Sequence, residues 1–440
     1  MKKLAVIGWP IAHSYSPLMH NYISREMNAD YVYEAVETPP EKLGEIVSKL
    51  KADGVLGFNV TAPHKFNVMQ YLDEISQDAQ YFGAVNTVLN KNGKLIGYNT
   101  DAEGFYEALC YSGINPDGKH VLMLGAGGAA QPVAINLVKK CASLTVTNRT
   151  KERLFELKDV VKNCTGANIK TEIDRETYDI IINCTSLGMG NNIGMSPLSD
   201  MSIIGKDTYC VDMIYNPWET QFLKDAKKAG AKCVNGLSML IFQGILAYRI
   251  FTGIDAPLSL ADGIEKEILA HRNIVLTGFM ASGKTVVGKA LAEKLGRKFV
   301  DSDVLIEEKC GRTIPEIFEK YGEEYFRSVE AQVIEEISLE KGAVIATGGG
   351  VVLNGDNIAV LRKNATIVNL EPTKEVVISR LSNDDGTRPL NKGQDIEQIL
   401  DRFENRKPFY DNCDVKVKIT DEMSVEDSLS AVLKGLEGKI

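Results

Sequence analysis

Apolar runs of strand length alternate with stretches of helical spacing along almost the whole chain. KLAVIG, YVYEAV and GVLGFNV come first, then HVLMLG, SLTVTN, YDIIINCT, TYCVDM and AKCVNG, and finally NIVLTG, KFVD, AVIATGGG, ATIVNLE and DVKVKI. This alternation predicts an α/β fold on mainly parallel sheets, because each parallel crossover needs a helix to carry the chain back. One exception is expected at VNTVLNKNGKLIGYNT, where Asn92-Gly93 supplies a two-residue turn between alternating runs and so predicts an antiparallel hairpin. DAEGFYEALCYSG then reads as a helix leading into the next domain. GIEKEILAHRN, from Gly263 to Asn273, reads as a closing helix and short charged connector, which puts a domain boundary near His271. No internal repeat or low-complexity linker interrupts the pattern.

Composition changes this picture in three ways. A chain of 440 residues exceeds one ordinary core, so two or three domains are expected. A net charge of -9 argues against a general nucleic-acid surface and leaves small molecules as the expected partners. Eight cysteines without a C-x-x-C pair suit a reducing cytoplasm. The basic start MKKLAVIGWPIAHSYSP is interrupted by Pro10 and is followed by no small-residue cleavage site, so no secretion signal is expected. No window approaches the roughly 18 apolar residues that a membrane-spanning helix needs.

Two glycine-rich segments carry the first chemistry. HVLMLGAGGAAQPVAINLV is strand, turn and helix: Gly125 allows the tight turn, Gly127 lets a pyrophosphate approach the backbone, and Ala130 permits close helix packing. A turn that merely connects strand to helix is the plain alternative. After the next strand, Arg149 stands where an NAD-specific fold would place an acid; it suits a 2'-phosphate, so NADP is expected over NAD, although a solvated arginine would look the same. Lys65, following the strand that ends at Val60, could protonate an oxygen that becomes an alkoxide when hydride arrives, and Asp101 could anchor that lysine and a substrate hydroxyl. The second segment, GFMASGKT from Gly278 to Thr285, fits the phosphate-cradling pattern: backbone amides wrap a β-phosphate, Lys284 reaches the β- and γ-phosphates, and Thr285 ligates magnesium. FVDSD follows with Asp301 and Asp303, one suited to magnesium and the other to a substrate hydroxyl. Arg327, Arg388 and Arg406 recur where an anionic small molecule could be gripped.

HSYSP, NVTAPHK, GAVNT, YNTD, GAGGAA, NRT, NCTSLGM, DMIYNP and FQG occur in an order and spacing that resembles the shikimate dehydrogenase family over about residues 1–270. The resemblance implies NADPH-dependent reduction of 3-dehydroshikimate to shikimate, with Lys65 and Asp101 as the catalytic pair. It implies a substrate-binding domain at 1–101, onto which helices at about 238–270 pack back, and an NADP-binding Rossmann domain at 102–237. By motif position Ser14 and Ser16 would bind the substrate carboxylate. Thr61, Asn86, Asp101 and Gln243 would hold its ring hydroxyls beside Lys65, and Tyr215 would line the cleft. Gly125, Ala126, Gly127, Gly128, Ala129, Asn148, Arg149, Thr150, Met213 and Gly236 would bind NADP. Gln131 departs from the basic residue of many members, His13 is expected as cleft wall or surface, and Cys184 as a buried small residue.

FMASGKT, FVDSD, EEYFRSVE, ATGGG, RPL and RKPFY together resemble the shikimate kinase family over about residues 273–440. This implies a P-loop kinase α/β/α domain with a parallel sheet. Gly278, Ala281, Ser282, Gly283, Lys284, Thr285 and Arg388 would then hold ATP, with Lys284 and Arg388 catalytic and Arg388 on a mobile lid. Thr285 and Asp301 would serve the Mg2+ ion, and Asp303, Arg327, Gly349, Gly350 and Arg406 would bind shikimate. Asn391, after RPL, departs from the usual apolar residue. The two resemblances imply a bifunctional enzyme for consecutive steps. The alternatives are a quinate-type NAD dehydrogenase joined to another kinase, or a module that senses shikimate or nucleotide without turnover; retention of Lys65, Asp101, Lys284, Thr285 and Asp301 weighs against the latter. No motif speaks to oligomeric state.

Overall fold

The computed structural model describes residues 1–382 and 396–440, so Arg388 and Asn391 lie outside the described residues. Three sheets account for the alternation seen in the sequence. The first contains β1 (Lys2–Gly8), β2 (Tyr31–Glu37), β3 (Gly57–Val60), β4 (Glu74–Ile75), β5 (Thr87–Lys91) and β6 (Lys94–Tyr98), in the order β2-β1-β3-β5-β6-β4. β1 pairs in parallel with β2 and β3, while β5 runs antiparallel to both β3 and β6. The predicted hairpin is the β5–β6 pair. Asn92 and Gly93 take φ of 56° and 84°, the left-handed values that a two-residue turn of this kind needs, and Asn90 Oδ1 accepts from Gly93 N at 2.9 Å.

The second sheet is wholly parallel: β7 (His120–Leu124), β8 (Ser143–Thr147), β9 (Tyr178–Asn183), β10 (Ile204–Asp212) and β11 (Lys232–Val234), ordered β11-β10-β9-β7-β8. The third is parallel too: β12 (Asn273–Thr277), β13 (Phe299–Asp301), β14 (Val344–Ala346), β15 (Ala365–Pro372) and β16 (Val415–Ile419), ordered β13-β14-β12-β15-β16. Central strands such as β12 are buried at every position, which is why they read as unbroken apolar runs. β10 begins earlier than TYCVDM suggests, and its register against β9 shifts between Ile204 and Tyr209, where polar Lys206 and Asp207 interrupt the apolar pattern.

The chain divides into two compact units, Met1–Tyr215 with Glu219–Ile268, and Asn216–Trp218 with Leu269–Ile440. In the first, the apolar helix Leu237–Thr252 returns to pack on helix Asp101–Tyr111, helix Ser16–Glu26 and strands β3 and β5. The approach is close: a Cβ on Gly104 would stand 2.6 Å from the Gln243 backbone nitrogen, so only glycine lets these two helices bring Asp101 and Gln243 to one place. In the second unit, helices cover the parallel sheet, with cores that include Val275, Ile345 and Ile367 in one cluster and Ile274, Val344 and Val368 in another. Among the described residues no helix is long and apolar enough to cross a membrane.

Candidate active sites

In the first unit the chemistry gathers at the C-terminal ends of β1 and β3 and at the start of helix Asp101–Tyr111. Lys65 Nζ donates to Asp101 Oδ2 at 2.7 Å, with the aspartate side chain 15% exposed and the lysine 37%. Asn86 Nδ2 donates to the other carboxylate oxygen, Oδ1, at 2.9 Å and reaches Gln243 Oε1 at 3.4 Å. Lys65, Asn86, Asp101 and Gln243 are therefore one cluster, drawn from four distant segments. Ser14 Oγ accepts from Ser16 N at 3.2 Å at the head of helix Ser16–Glu26. Tyr15, between these serines, meets Tyr215 with ring centroids 6.1 Å apart, so DMIYNP does reach HSYSP. Thr61 is half-buried beside β1, its backbone amide donating to Ile7 O at 3.0 Å. His13 is half-buried as well.

Beneath this cluster lies a buried polar set that the sequence reading did not single out. Asn59, inside the apolar-looking strand β3, bonds to Tyr33 and Thr87, and His20 stacks on Tyr33 with centroids 4.1 Å apart. Burial lowers the His20 pKa to about 3, which keeps that ring neutral.

The dinucleotide turn leaves β7 at Gly125, whose φ is 110°. A Cβ there would come 2.8 Å from Thr185 Cγ2, so glycine is demanded by the protein itself. At Gly127 and Gly128, in contrast, no protein atom lies within 4 Å of an added Cβ. The backbone is open at these two positions, and so fits close approach of a pyrophosphate. Asn148 Oδ1 receives the Ala126 amide at 3.2 Å and its Nδ2 donates to Thr150 O at 2.8 Å, tying the turn to the end of β8. Arg149 is exposed. Gln131 donates to Tyr81 O and Phe82 O at 3.1 and 3.0 Å, capping the end of helix Gln77–Phe82. Met213 and Gly236 touch: a Cβ on Gly236 would be 2.2 Å from Met213 O. Beside them Asp212 accepts from Asn183, Ile214 N and Thr220; burial outweighs those bonds and pushes its pKa up to about 6. Burial likewise raises the Cys184 thiol well above its ordinary value, consistent with an unreactive core cysteine.

In the second unit a cavity of about 740 Å³ is lined on one side by Ala281–Thr285 and on the other by Asp303, Arg327 and Gly348–Gly350. The loop is left-handed at Gly278, Ala281 and Gly283, with φ of 149°, 64° and 94°. Lys284 Nζ bonds to Gly278 O at 2.8 Å and Phe279 O at 3.0 Å. Ser282 is buried within the loop. Thr285 Oγ1 donates to Asp301 Oδ2 at 2.9 Å, an all-oxygen pair suited to a hard cation such as Mg2+. Asp301 Oδ1 also caps helix Ser302–Cys310 by accepting from Asp303 N at 3.0 Å. Burial, reinforced by the neighbouring Asp301 charge, raises the Asp303 pKa.

Arg327 is held by Glu330 at 2.9 Å and by Glu323 at 3.1 Å. Glu330 is 1% exposed, and burial raises its pKa against the pull of Arg327. A Cβ on Gly350 would be 2.3 Å from Arg327 Nη1, so any larger residue there would push the guanidinium from its place. Arg406, half-buried on helix Ile396–Tyr410, is near enough for its charge to act on Glu330 and Tyr410, and the Tyr410 hydroxyl donates to Gly349 O at 2.6 Å. The sequence reading missed Glu330, Gly348, Tyr410 and Arg380. Glu330 stands three positions after Arg327 on one helix, a spacing that signals the pair. Arg380 gives no such signal: its target is Ala281 O, at 2.8 Å, far back in the chain.

Comparison with known proteins agrees with both halves. Residues 6–88 match the shikimate dehydrogenase substrate binding domain, residues 112–190 the shikimate / quinate 5-dehydrogenase family, residues 236–261 the shikimate 5'-dehydrogenase C-terminal domain, and residues 280–437 shikimate kinase. The shikimate dehydrogenase (NADP(+)) of Methanocaldococcus jannaschii is 43% identical over 266 residues, 59% of this chain and 94% of that protein. That of Alkaliphilus metalliredigens is 40% identical over 267 residues, 58% of this chain and 93% of its own. The crystal structure of shikimate 5-dehydrogenase from Thermus thermophilus in complex with NADP(H) and shikimate aligns with a TM-score of 0.55 at 36% identity, covering 61% of this chain and 100% of that one.

Proposed function

We propose that this chain, which belongs to the shikimate dehydrogenase family and carries a shikimate kinase domain behind it, is a bifunctional enzyme that reduces 3-dehydroshikimate with NADPH and then phosphorylates shikimate with ATP and Mg2+. The observation that carries the reading is the presence of two separate sites, each with a nucleotide cradle and its own substrate groups: the 2.7 Å Lys65–Asp101 pair, and the cavity in which Lys284 and Thr285 face Asp303 and Arg327.

Bound NADPH supplies the hydride for the first reaction. Lys65 then gives a proton to the oxygen that accumulates charge, and Asp101 aims that lysine while accepting from a ring hydroxyl. Asn86 and Gln243 hold the ring, and Ser14 and Ser16 receive its carboxylate. In the second reaction bound ATP with Mg2+ supplies the phosphoryl group. Lys284 leaves its loop carbonyls to neutralise phosphate charge, and Thr285 and Asp301 furnish oxygens for the cation, while Arg388, outside the described residues, is assigned to ATP by the family resemblance alone. Asp303 is the acceptor for the substrate hydroxyl proton, a role its raised pKa favours, while Arg327 and Arg406 bind the carboxylate. The partners are thus small molecules.

The test is direct. With 3-dehydroshikimate, NADPH and MgATP the purified chain should oxidise NADPH and accumulate shikimate 3-phosphate. NADPH oxidation without the phosphate ester, or the ester formed only from added shikimate, would remove one half of the reading.

A further inference from the structure

We propose that Tyr33, Asn59 and Thr87 form a one-way chain of hydrogen-bond donors that ends on the Asp101 carboxylate, and that they are positioning residues for the reduction. The proposal rests on reading this half as a 3-dehydroshikimate reductase.

The direction of the chain is forced by two backbone groups. Thr100 N, which can only donate, points at Asn86 Oδ1 at 2.9 Å. Asn86 Oδ1 is therefore the acceptor end of its amide, and Nδ2 is left to donate to Asp101 Oδ1 at 2.9 Å. With that oxygen accepting, the Thr87 hydroxyl must place its single hydrogen there, at 2.8 Å. Thr87 Oγ1 then keeps only acceptor capacity for Asn59 Nδ2, at 3.1 Å. The second backbone group fixes Asn59: the Asn86 carbonyl can only accept, and it takes the other Asn59 Nδ2 hydrogen at 3.0 Å. Asn59 Oδ1 is thereby turned to Tyr33, whose hydroxyl donates to it at 2.7 Å.

Every member above Asp101 is buried: Tyr33 is 2% exposed, Asn59 7%, Thr87 0% and Asn86 3%. Water therefore offers little substitute for a lost link, and the local dielectric strengthens each bond that remains. The stacked His20 beside Tyr33 is neutral and brings no competing charge. One buried path thus runs from Tyr33 to the aspartate expected at the reacting end.

The consequence is geometric. Asp101 is gripped at Oδ2 by Lys65 and at Oδ1 by Asn86, and Asn86 is in turn locked by Thr87 and Thr100. Without the Thr87 hydroxyl the Asn86 side-chain oxygen loses the shortest of its three donors and is left with the amide and hydroxyl of Thr100, so the support of the carboxylate loosens. A misplacement of about 1 Å in a catalytic constellation costs up to roughly a hundredfold in rate.

The experiment compares Thr87→Val, Thr87→Ser and Tyr33→Phe with wild type, measuring reductase kcat, the KM for 3-dehydroshikimate, and NADPH binding by fluorescence as the report on folding of this unit. Thr87→Val is expected to lower kcat by about 10- to 100-fold with NADPH affinity unchanged. Thr87→Ser should recover to within about threefold of wild type, and Tyr33→Phe should lose less than Thr87→Val. Should Thr87→Val fail to bind NADPH, Tyr33→Phe carries the test. Wild-type kcat in the variant tested, or no rescue by Thr87→Ser, overturns the proposal. A wild-type chain that reduces no 3-dehydroshikimate overturns the functional reading itself, and this proposal with it.

Discussion

At Gly125–Ala130 the chain turns from strand to helix with a left-handed φ of 110° at Gly125, and the next two glycines face open space. At Gly278–Thr285 three residues are left-handed, one of them an alanine at φ 64°, and a lysine is folded into the loop itself. A non-glycine residue in that region stores about 1–3 kcal/mol of strain, which the surrounding contacts must hold. Both cradles lead into a helix N-terminus, which favours an anion, yet only the second carries its own cation. In the first, the cation proposed for the cofactor is Arg149, exposed after the following strand. Losing the charge should accordingly be severe in the phosphate loop and moderate in the dinucleotide turn.

Lys284→Met makes the sharpest test. Removal of a cation that stabilises a transferring phosphoryl group costs on the order of 10³-fold or more in kcat. Shikimate phosphorylation should collapse while NADPH oxidation stays at the wild-type rate; a parallel loss of reduction would break the comparison. Lys65→Ala is the mirror experiment. It should lower reductase turnover by about 10²- to 10⁴-fold, the range for one positioned acid or base, and leave the phosphorylation of supplied shikimate intact.

The contrast also shows why some of the molecule was legible in its sequence. NIVLT and HVLML are buried on both faces, so their unbroken apolar runs announced central parallel strands, and the glycine patterns behind them announced the cradles. β4 announced nothing: Glu74–Ile75 is two residues among polar neighbours and forms because it lies along β6, where Asp73 Oδ2 accepts from Leu95 N at 2.7 Å. Lys65, Asn86, Asp101 and Gln243 were readable as motif members, and their convergence depends on the close helix contact at Gly104. Asn59 and Thr87 were not readable, because a polar residue inside a strand looks like a solvent-facing position until its buried partner 28 residues away is known. Arg380 fails for the same reason, since what it recognises is a carbonyl and not a residue type.

A smaller effect is expected at Asp212, which braces the loops around Met213. Its folded pKa of about 6 lies above the ordinary 3.8, so the folded state holds the proton more tightly than the unfolded chain. That contribution to stability is fully present below pH 4 and is lost as pH rises through 6. A shift of about two units corresponds to about 3 kcal/mol. Thermal melting from pH 4 to 7 should therefore show wild type losing stability relative to Asp212→Asn by up to that amount. Parallel curves would mean that the three donors to Asp212 keep it ionised throughout.

The smallest effect tests the open cradle itself. Gln131 has its amide committed to the carbonyls of Tyr81 and Phe82, so the helix that begins at Ala130 brings no cation to the phosphates through that residue. Arg149 is exposed at the end of the neighbouring strand, where a guanidinium can fork onto a 2'-phosphate. Charge-assisted bonds of this kind contribute roughly 1.5–3 kcal/mol, so wild type should prefer NADPH over NADH by about ten- to a hundredfold in kcat/KM. Arg149→Ala should erase most of that preference by raising the KM for NADPH, with kcat and the NADH reaction little changed, because the 2'-phosphate is remote from the hydride. Restoring a cation at Gln131→Lys in the Arg149→Ala background separates two explanations. If general positive charge is what the open cradle lacks, affinity for both cofactors rises together. If the guanidinium at Arg149 reads the 2'-phosphate specifically, the selectivity stays lost, and that is the outcome the geometry favours.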